Sequence, residues 1–88
     1  MNDSTMLEML KIDLGITTNA YDNRLRSIIE SAKVYITREG ITLDGSVSDG
    51  NLIVMYAAWL WRKRDKTEAM PRMLRWNMNN RLFAEKVE

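Results

Sequence analysis

The chain has 88 residues and lacks both cysteine and histidine, so it offers no disulfide, no thiolate zinc site and no imidazole for acid–base catalysis. Hydrophobic residues make up 45% and charged residues 28%, a balance typical of one globular domain, which we place at residues 1–88. The net charge of +1 is too small for a protein that coats nucleic acid, and we expect neither an enzyme nor a metal or cofactor site.

A short helix is predicted first. Ser4 can cap its N-terminus, and Gly15 can end it because glycine readily adopts the left-handed conformation that closes helices. Between these positions the apolar residues are spaced by three and four, which places them on one helix face: Leu7, Leu10 and Leu14.

The second segment has the clearest helical pattern in the chain. Thr17 or Thr18 can cap its N-terminus, and Gly40 can supply the left-handed residue at its C-terminus. The spacing predicts a long amphipathic helix whose apolar stripe consists of Tyr21, Leu25, Ile28, Ile29, Ala32 and Ile36.

A loop is predicted over residues 41–50, and Ser48 is predicted to open a third helix that runs to about Lys66. Residues 52–61 are apolar on every side of this helix, which predicts that several neighbours cover it. Because a chain of 88 residues has few elements for this, we expect part of the helix to face another subunit. A membrane span needs about 20 apolar residues, so we expect no membrane contact.

The fourth helix is predicted to start at Met70, with Pro71 as its first helical residue. Arg72, Arg75 and Asn79 share one face of this helix. The other face is predicted to be an apolar line of Leu74, Met78 and Leu82, joined by Met70, Met73 and Phe83. The fold class is therefore all-α: a small bundle of about four helices, with a short N-terminal helix, two long core helices and a C-terminal helix.

Charge is distributed unevenly along the chain. Residues 1–44 hold five Lys/Arg against seven Asp/Glu, and residues 45–88 hold eight against five. The most basic segment lies between Arg62 and Arg81, with seven basic and two acidic residues. Its first part, residues 62–66, has two interpretations: cations that complement a helix C-terminus, or a contact with a polyanion or an acidic partner. The three tryptophans have three interpretations: core anchors, contacts in a subunit interface, or rings that stack on the bases of a nucleic acid.

The acidic residues are the only remaining candidates for acid–base chemistry. None of them forms an obvious pair at a spacing of three or four on an apolar face, so we interpret them as structural. The glycines lack the strand–turn–helix context of a phosphate loop, and no metal-ligand spacing is present.

Several segments, in order and spacing, resemble the small head–tail connector proteins of tailed phages. The resemblance covers residues from about 10 to 86. It is carried by Asp13-Leu14-Gly15-Ile16, Tyr21-Asp22, residues 28–36, residues 38–43, residues 54–64, residues 70–76 and residues 79–83, of which Met70-Pro71-Arg72-Met73-Leu74-Arg75-Trp76 is the most specific.

The resemblance implies a structural virion protein, also described as an adaptor, head-completion or DNA-packaging protein. Such proteins assemble as rings, usually of twelve copies, beneath the portal at the capsid vertex. The ring extends the channel for double-stranded DNA, without sequence recognition, and receives a stopper or the next connector. The expected partners are therefore further copies of the chain, the portal and the stopper, at the head–tail interface of a virion assembled in the host cytoplasm. The family has no catalytic residues to transfer.

The richest candidate surface for contacts with other subunits or the portal is basic, polar and aromatic: Arg62, Lys63, Arg64, Arg72, Arg75, Trp76, Asn79, Asn80 and Arg81. Asp44 and Asp49 are candidates for an acidic loop directed toward the channel or the stopper. The alternative hypothesis is a small helical DNA-binding module that uses the basic 62–81 region, with the break at 65–69 as the turn of a helix-turn-helix.

Overall fold

The computed structural model describes residues 1–65 and 69–86 and contains four α-helices. They are α1 (Asp3–Leu14), α2 (Asp22–Arg38), α3 (Val47–Arg62) and α4 (Arg72–Lys86), and a 3-10 turn at Lys63–Asp65 follows α3. No β-strand occurs in the described ranges, so the predicted all-α fold is confirmed. The predicted end of the third helix near Lys66 lies outside the described residues.

The N-terminus of α1 is capped two residues earlier than predicted. Asn2 accepts a hydrogen bond from the Thr5 amide at 2.8 Å, so it takes the capping role predicted for Ser4. The predicted end is confirmed, because Gly15 has a φ of 70° and its amide bonds back to carbonyls of the last turn.

The second helix begins later than the threonines suggested. Tyr21 is its N-cap and makes no side-chain capping bond, whereas Thr18 accepts a bond from the Ala20 amide in the preceding turn. The predicted glycine signal at the C-terminus is confirmed: Gly40, with a φ of 102°, directly follows the C-cap Glu39.

The third and fourth helices also differ from prediction at their starts. Ser46 caps α3 by accepting a hydrogen bond from the Asp49 amide at 3.1 Å, so the helix starts one residue before Ser48. Pro71 precedes α4, and its carbonyl accepts the Arg75 amide at 3.0 Å. Asp49 therefore belongs to the first turn of α3 and not to the preceding loop.

Helix α3 lies at the centre of the bundle, packed against α1, α2 and α4. This position explains why it is apolar on every side, and the prediction that several neighbours cover it is confirmed. Its buried side chains include Leu52, Ile53, Val54, Tyr56, Ala57 and Ala58, and its half-buried ones include Met55, Trp59, Leu60 and Trp61. The four half-buried side chains are the part of α3 that remains available for the predicted contact with another subunit.

Helix α4 carries apolar residues on two faces. Leu74 and Met78 are buried against the core, and Leu82 is half-buried beside them. Met73 and Phe83, which were predicted to join that line, are exposed instead, at 64% and 68%. That part of the prediction is wrong, because the side of α4 that packs on α3 excludes these two positions.

Candidate functional site

The exposed side of α4 combines large apolar and basic side chains. Trp76 is 61% exposed and lies on the same side of the helix as Met73 and Phe83. We call this surface the α4 outer face; it consists of Met73, Trp76 and Phe83 with Arg72, Arg75, Asn79 and Asn80, all of them exposed. Exposed apolar patches mark interaction sites, and tryptophan and arginine are frequent anchors in protein interfaces.

The basic residues at the end of α3 have partners within the chain. The Lys63 ammonium lies 4.3 Å from the centre of the Trp59 ring, and the Arg64 guanidinium lies 3.8 Å from that of Trp61. Arg64 also donates to the Trp61 carbonyl at 2.7 Å, as expected for a cation at a helix C-terminus. Both residues are exposed, as is Arg62, but Lys63 and Arg64 cover tryptophan rings of the preceding helix, α3.

The tryptophans on α3 belong to two groups of aromatic rings at the edge of the core. The Trp61 ring meets the Tyr21 ring edge-on at 5.7 Å, and the Trp59 ring meets that of Tyr56 at 5.4 Å. Tyr56 stacks in turn on Tyr35, and its pKa is raised, chiefly by burial. The core-anchor interpretation therefore fits these two half-buried tryptophans, whereas the third is exposed on α4.

Arg81 lies on the inner side of α4 and forms an ion pair with the buried carboxylate of Asp49. The second carboxylate oxygen of Asp49 accepts the Asp44 amide at 2.5 Å. Arg81 also donates to the Thr42 carbonyl at 3.3 Å, while the Thr42 amide donates to Glu85 at 2.6 Å. Arg81 thus ties α4 to the start of α3 and to the loop before it.

This geometry corrects the expectation for the acidic pair. Asp49 is fully buried, so its carboxylate does not extend from the loop toward a channel or stopper. Asp44 is exposed, and its carboxylate accepts the Ser46 amide at 3.0 Å. Hydrogen bonding to the Asp49 side chain, and then to the backbone and side chain of Ser46, lowers the pKa of Asp44 to about 2. Asp44 remains a charged group at the surface of this loop.

The structure also separates the basic region that suggested DNA binding. Arg81 turns inward, Lys63 and Arg64 lie over tryptophan rings, and Arg72 and Arg75 sit on the α4 outer face. Lys66 and most of the break at 65–69 lie outside the described residues. The basic side chains in the described part therefore do not make one continuous exposed stripe of the kind that tracks a nucleic-acid backbone.

Three acidic side chains on α1 and α2 pair with lysines. Lys11 binds Asp22 at 2.9 Å, and Lys33 binds Asp3 at 2.9 Å and Glu30 at 3.1 Å. Partial burial lowers the pKa of Lys33, but the hydrogen bonds that its ammonium donates to both carboxylates outweigh this effect, and the net pKa is raised. These pairs are structural, as the sequence indicated.

The outward side of α1 is acidic and carries the most exposed large apolar residue of the described chain. Ile12 is 77% exposed, with Glu8 one turn before it and Asp13 beside it, both exposed. Neither carboxylate forms a salt bridge with any described residue. We call Glu8, Ile12 and Asp13 the α1 outer ridge.

The described side chains contain no group of three or more residues suited to hold a metal ion. None of the helices in residues 1–65 and 69–86 has the length and apolar character needed to cross a bilayer. The described chain displays a helical scaffold with a basic aromatic face on α4, an acidic ridge on α1 and one exposed aspartate, Asp44, in the loop before α3.

Residues 4–75 match the family model described as phage gp6-like head–tail connector proteins. Because this match spans most of the chain, the chain belongs to that family, and the resemblance is confirmed. No curated protein and no solved structure matches the chain. The family is one of structural connectors at the head–tail junction of the virion, which associate with other virion proteins. The match ends at Arg75, so it includes Arg72, Met73 and Arg75 of the α4 outer face, whereas Trp76, Asn79, Asn80 and Phe83 lie beyond it.

Proposed function

We propose that the protein is an adaptor that assembles as a ring, of about twelve copies, beneath the portal. The ring extends the channel for double-stranded DNA without reading its sequence, and it joins the capsid to the stopper on the tail side. Membership of the connector family supports this role. Assembly takes place in the host cytoplasm, before the finished junction becomes part of the virion.

The dimensions of one copy support a ring. The described chain extends 43 × 29 × 18 Å, with a radius of gyration of 13.0 Å. A helical bundle of this size, with a filled core, has no room for a duplex to pass through it. A DNA conduit built from this chain therefore requires several copies around a common axis.

The α4 outer face is the single observation that most favours a role in assembly. Three large apolar side chains on one exposed helix face cost solubility and contribute nothing to the core, which makes an interface the best explanation for them. We assign the contacts with a neighbouring subunit or the portal to this face, together with Arg62. Lys63, Arg64 and Arg81 are assigned to holding the fold, and Asp44 to the surface that meets the channel or the stopper.

Charge reversal on the α4 outer face tests this function. Phage lacking the gene is supplied with a variant carrying Arg72→Glu and Arg75→Glu, and the joining of heads to tails is counted by electron microscopy. We expect unjoined heads to accumulate. The matched control is Arg24→Glu with Arg26→Glu, which makes the same charge change on the exposed side of α2 and is expected to join heads and tails normally.

The contrary outcome is equally clear. If particles with the α4 double variant join heads and tails as well as the control does, the assignment of the α4 outer face is wrong. If removing the protein altogether leaves joining intact, the proposed function itself is wrong.

A further inference from the structure

The α4 outer face and the α1 outer ridge have complementary chemistry. The first carries two exposed arginines around an apolar centre, and the second carries two exposed carboxylates around Ile12. Helices α1 and α4 both pack on α3, and each of these two faces points to solvent, so they do not meet within one copy. An interface that uses both faces therefore requires a second copy of the chain.

From this complementarity we infer that the α4 outer face of one copy docks on the α1 outer ridge of the next. Ile12 packs against the apolar centre formed by Met73, Trp76 and Phe83. Glu8 and Asp13 pair with Arg72 and Arg75. This inference rests on the proposed ring and adds to it the two surfaces through which neighbouring copies meet.

The charge pattern favours the α1 outer ridge over other exposed surfaces as the partner of the α4 outer face. The outward side of α2 also exposes apolar residues, Val34 and Tyr35. Its exposed charges are three arginines, Arg24, Arg26 and Arg38, against one carboxylate, Glu30, which already pairs with Lys33. Like charges across an interface are unfavourable, so α2 is a poor partner for a basic face. A polyanion would pair with the arginines but would leave the apolar centre uncovered. The α1 outer ridge offers both carboxylates for the arginines and an apolar side chain, Ile12, for the apolar centre.

The contact uses a different surface on each partner, so it is heterologous and repeats from copy to copy. Such contacts close into a ring when the rotation between copies divides a full turn, and otherwise they continue as a filament. One helix face against one helix ridge is a small interface, so the pairwise affinity is expected to be weak. Ring closure strengthens it, because every copy is then held through both surfaces.

Cross-linking can detect a weak contact. Because the natural chain contains no cysteine, only the introduced cysteines can react. Thr5→Cys lies beside Glu8 and Ile12 on α1, and Asn80→Cys lies at the edge of the apolar centre on α4. Neither change removes a side chain of the proposed apolar contact or of the proposed charge pairs. The two single-cysteine variants, one with a size tag, are mixed and treated with a short flexible bis-maleimide. We expect a tagged–untagged dimer. Mixing Asn80→Cys with Val47→Cys, which is exposed at 64% on α3, is the matched control.

Charge swapping then tests specificity. Placing Arg72→Glu and Arg75→Glu in the Asn80→Cys chain should reduce the cross-linked dimer by roughly tenfold or more, because like charges then face each other. Placing Glu8→Arg and Asp13→Arg in the Thr5→Cys chain should restore it. Rescue of this kind is not expected from a variant that merely misfolds.

Electron microscopy of the wild-type protein with its portal tests the adaptor function separately from the proposed interface. Rings on the portal, without the cross-link between positions 5 and 80, would overturn this interface and leave the adaptor function standing. Absence of rings would count against the adaptor function whatever the cross-linking shows. Equal cross-linking with the Val47→Cys control, or a loss that the swapped charges do not rescue, would also overturn the interface.

Discussion

Removing the charge of Arg81 is expected to destabilise the fold strongly. Arg81→Met keeps most of the side-chain length but leaves the buried Asp49 carboxylate without its counter-ion. Breaking a buried ion pair from one side costs about 3–5 kcal/mol, and we take the lower end because the Arg81 side chain is 26% exposed. The free energy of unfolding of the whole chain is roughly 4–13 kcal/mol at typical values per residue. The loss is therefore a large share of the total.

Thermal and urea unfolding, followed by circular dichroism, measure this effect. A loss of about 3 kcal/mol in a domain of this size lowers the melting temperature by roughly 12–24 °C. The control is Arg72→Met, which makes the same chemical change at an exposed position of the same helix and should alter the unfolding free energy by about 0.5 kcal/mol or less.

A double variant decides whether the ion pair is the cause. Asn at position 49 keeps an acceptor for the Asp44 amide but carries no charge that needs a partner. Arg81→Met combined with Asp49→Asn should therefore be more stable than Arg81→Met alone. If the two changes simply add, or if Arg81→Met costs no more than the Arg72→Met control, the reasoning from the buried charge is refuted.

Three further predictions concern the loop and the two faces of α4. Gly40→Ala should lower the unfolding free energy in urea by about 1–2 kcal/mol, because its φ is 102° and an added Cβ would lie 3.3 Å from Leu82; unchanged stability would contradict this. Leu74→Ala should lower the free energy of unfolding by about 2–5 kcal/mol, because Leu74 is buried. Trp76→Ala should leave the melting temperature almost unchanged and reduce only self-association, and equal losses of stability in the two variants would refute the assignment of the two faces. Because the pKa of Asp44 is lowered to about 2, its carboxylate stabilises the fold above its usual pKa, and this stability is lost as pH falls from about 4 to about 2. Asp44→Asn should therefore reduce the pH dependence of the urea unfolding midpoint in that interval.

The helices could be predicted from sequence because their signals are local. The stripe of α2 repeats over four turns, and Gly15 and Gly40 both adopt the left-handed conformation that their positions at helix ends predicted. The start of α3 also has a local signal, which favours Ser46 over the predicted Ser48: Ser46 and Asp49 are spaced as in a capping box, which places the aspartate inside the helix.

The orientation of α4 could not be predicted in the same way. A helix with apolar residues on two sides has no unique inner face, so periodicity assigned Met73 and Phe83 to the core together with Leu74. Only packing against α3 selects between the sides. The pairing of Arg81 with Asp49 joins residues far apart in the chain, and no local pattern distinguishes that arginine from its exposed neighbours.

Thr42 is held to α4 through both of its backbone polar groups, with its amide bound to Glu85 and its carbonyl to Arg81. The segment between α2 and α3 is therefore mechanically coupled to α4 at the surface, along a path that bypasses the hydrophobic core. A force that displaces this segment is transmitted to α4 as a whole, because the helix is stiff along its axis. In the proposed adaptor, a neighbouring protein that displaced this segment would therefore also shift α4, the helix that carries the α4 outer face.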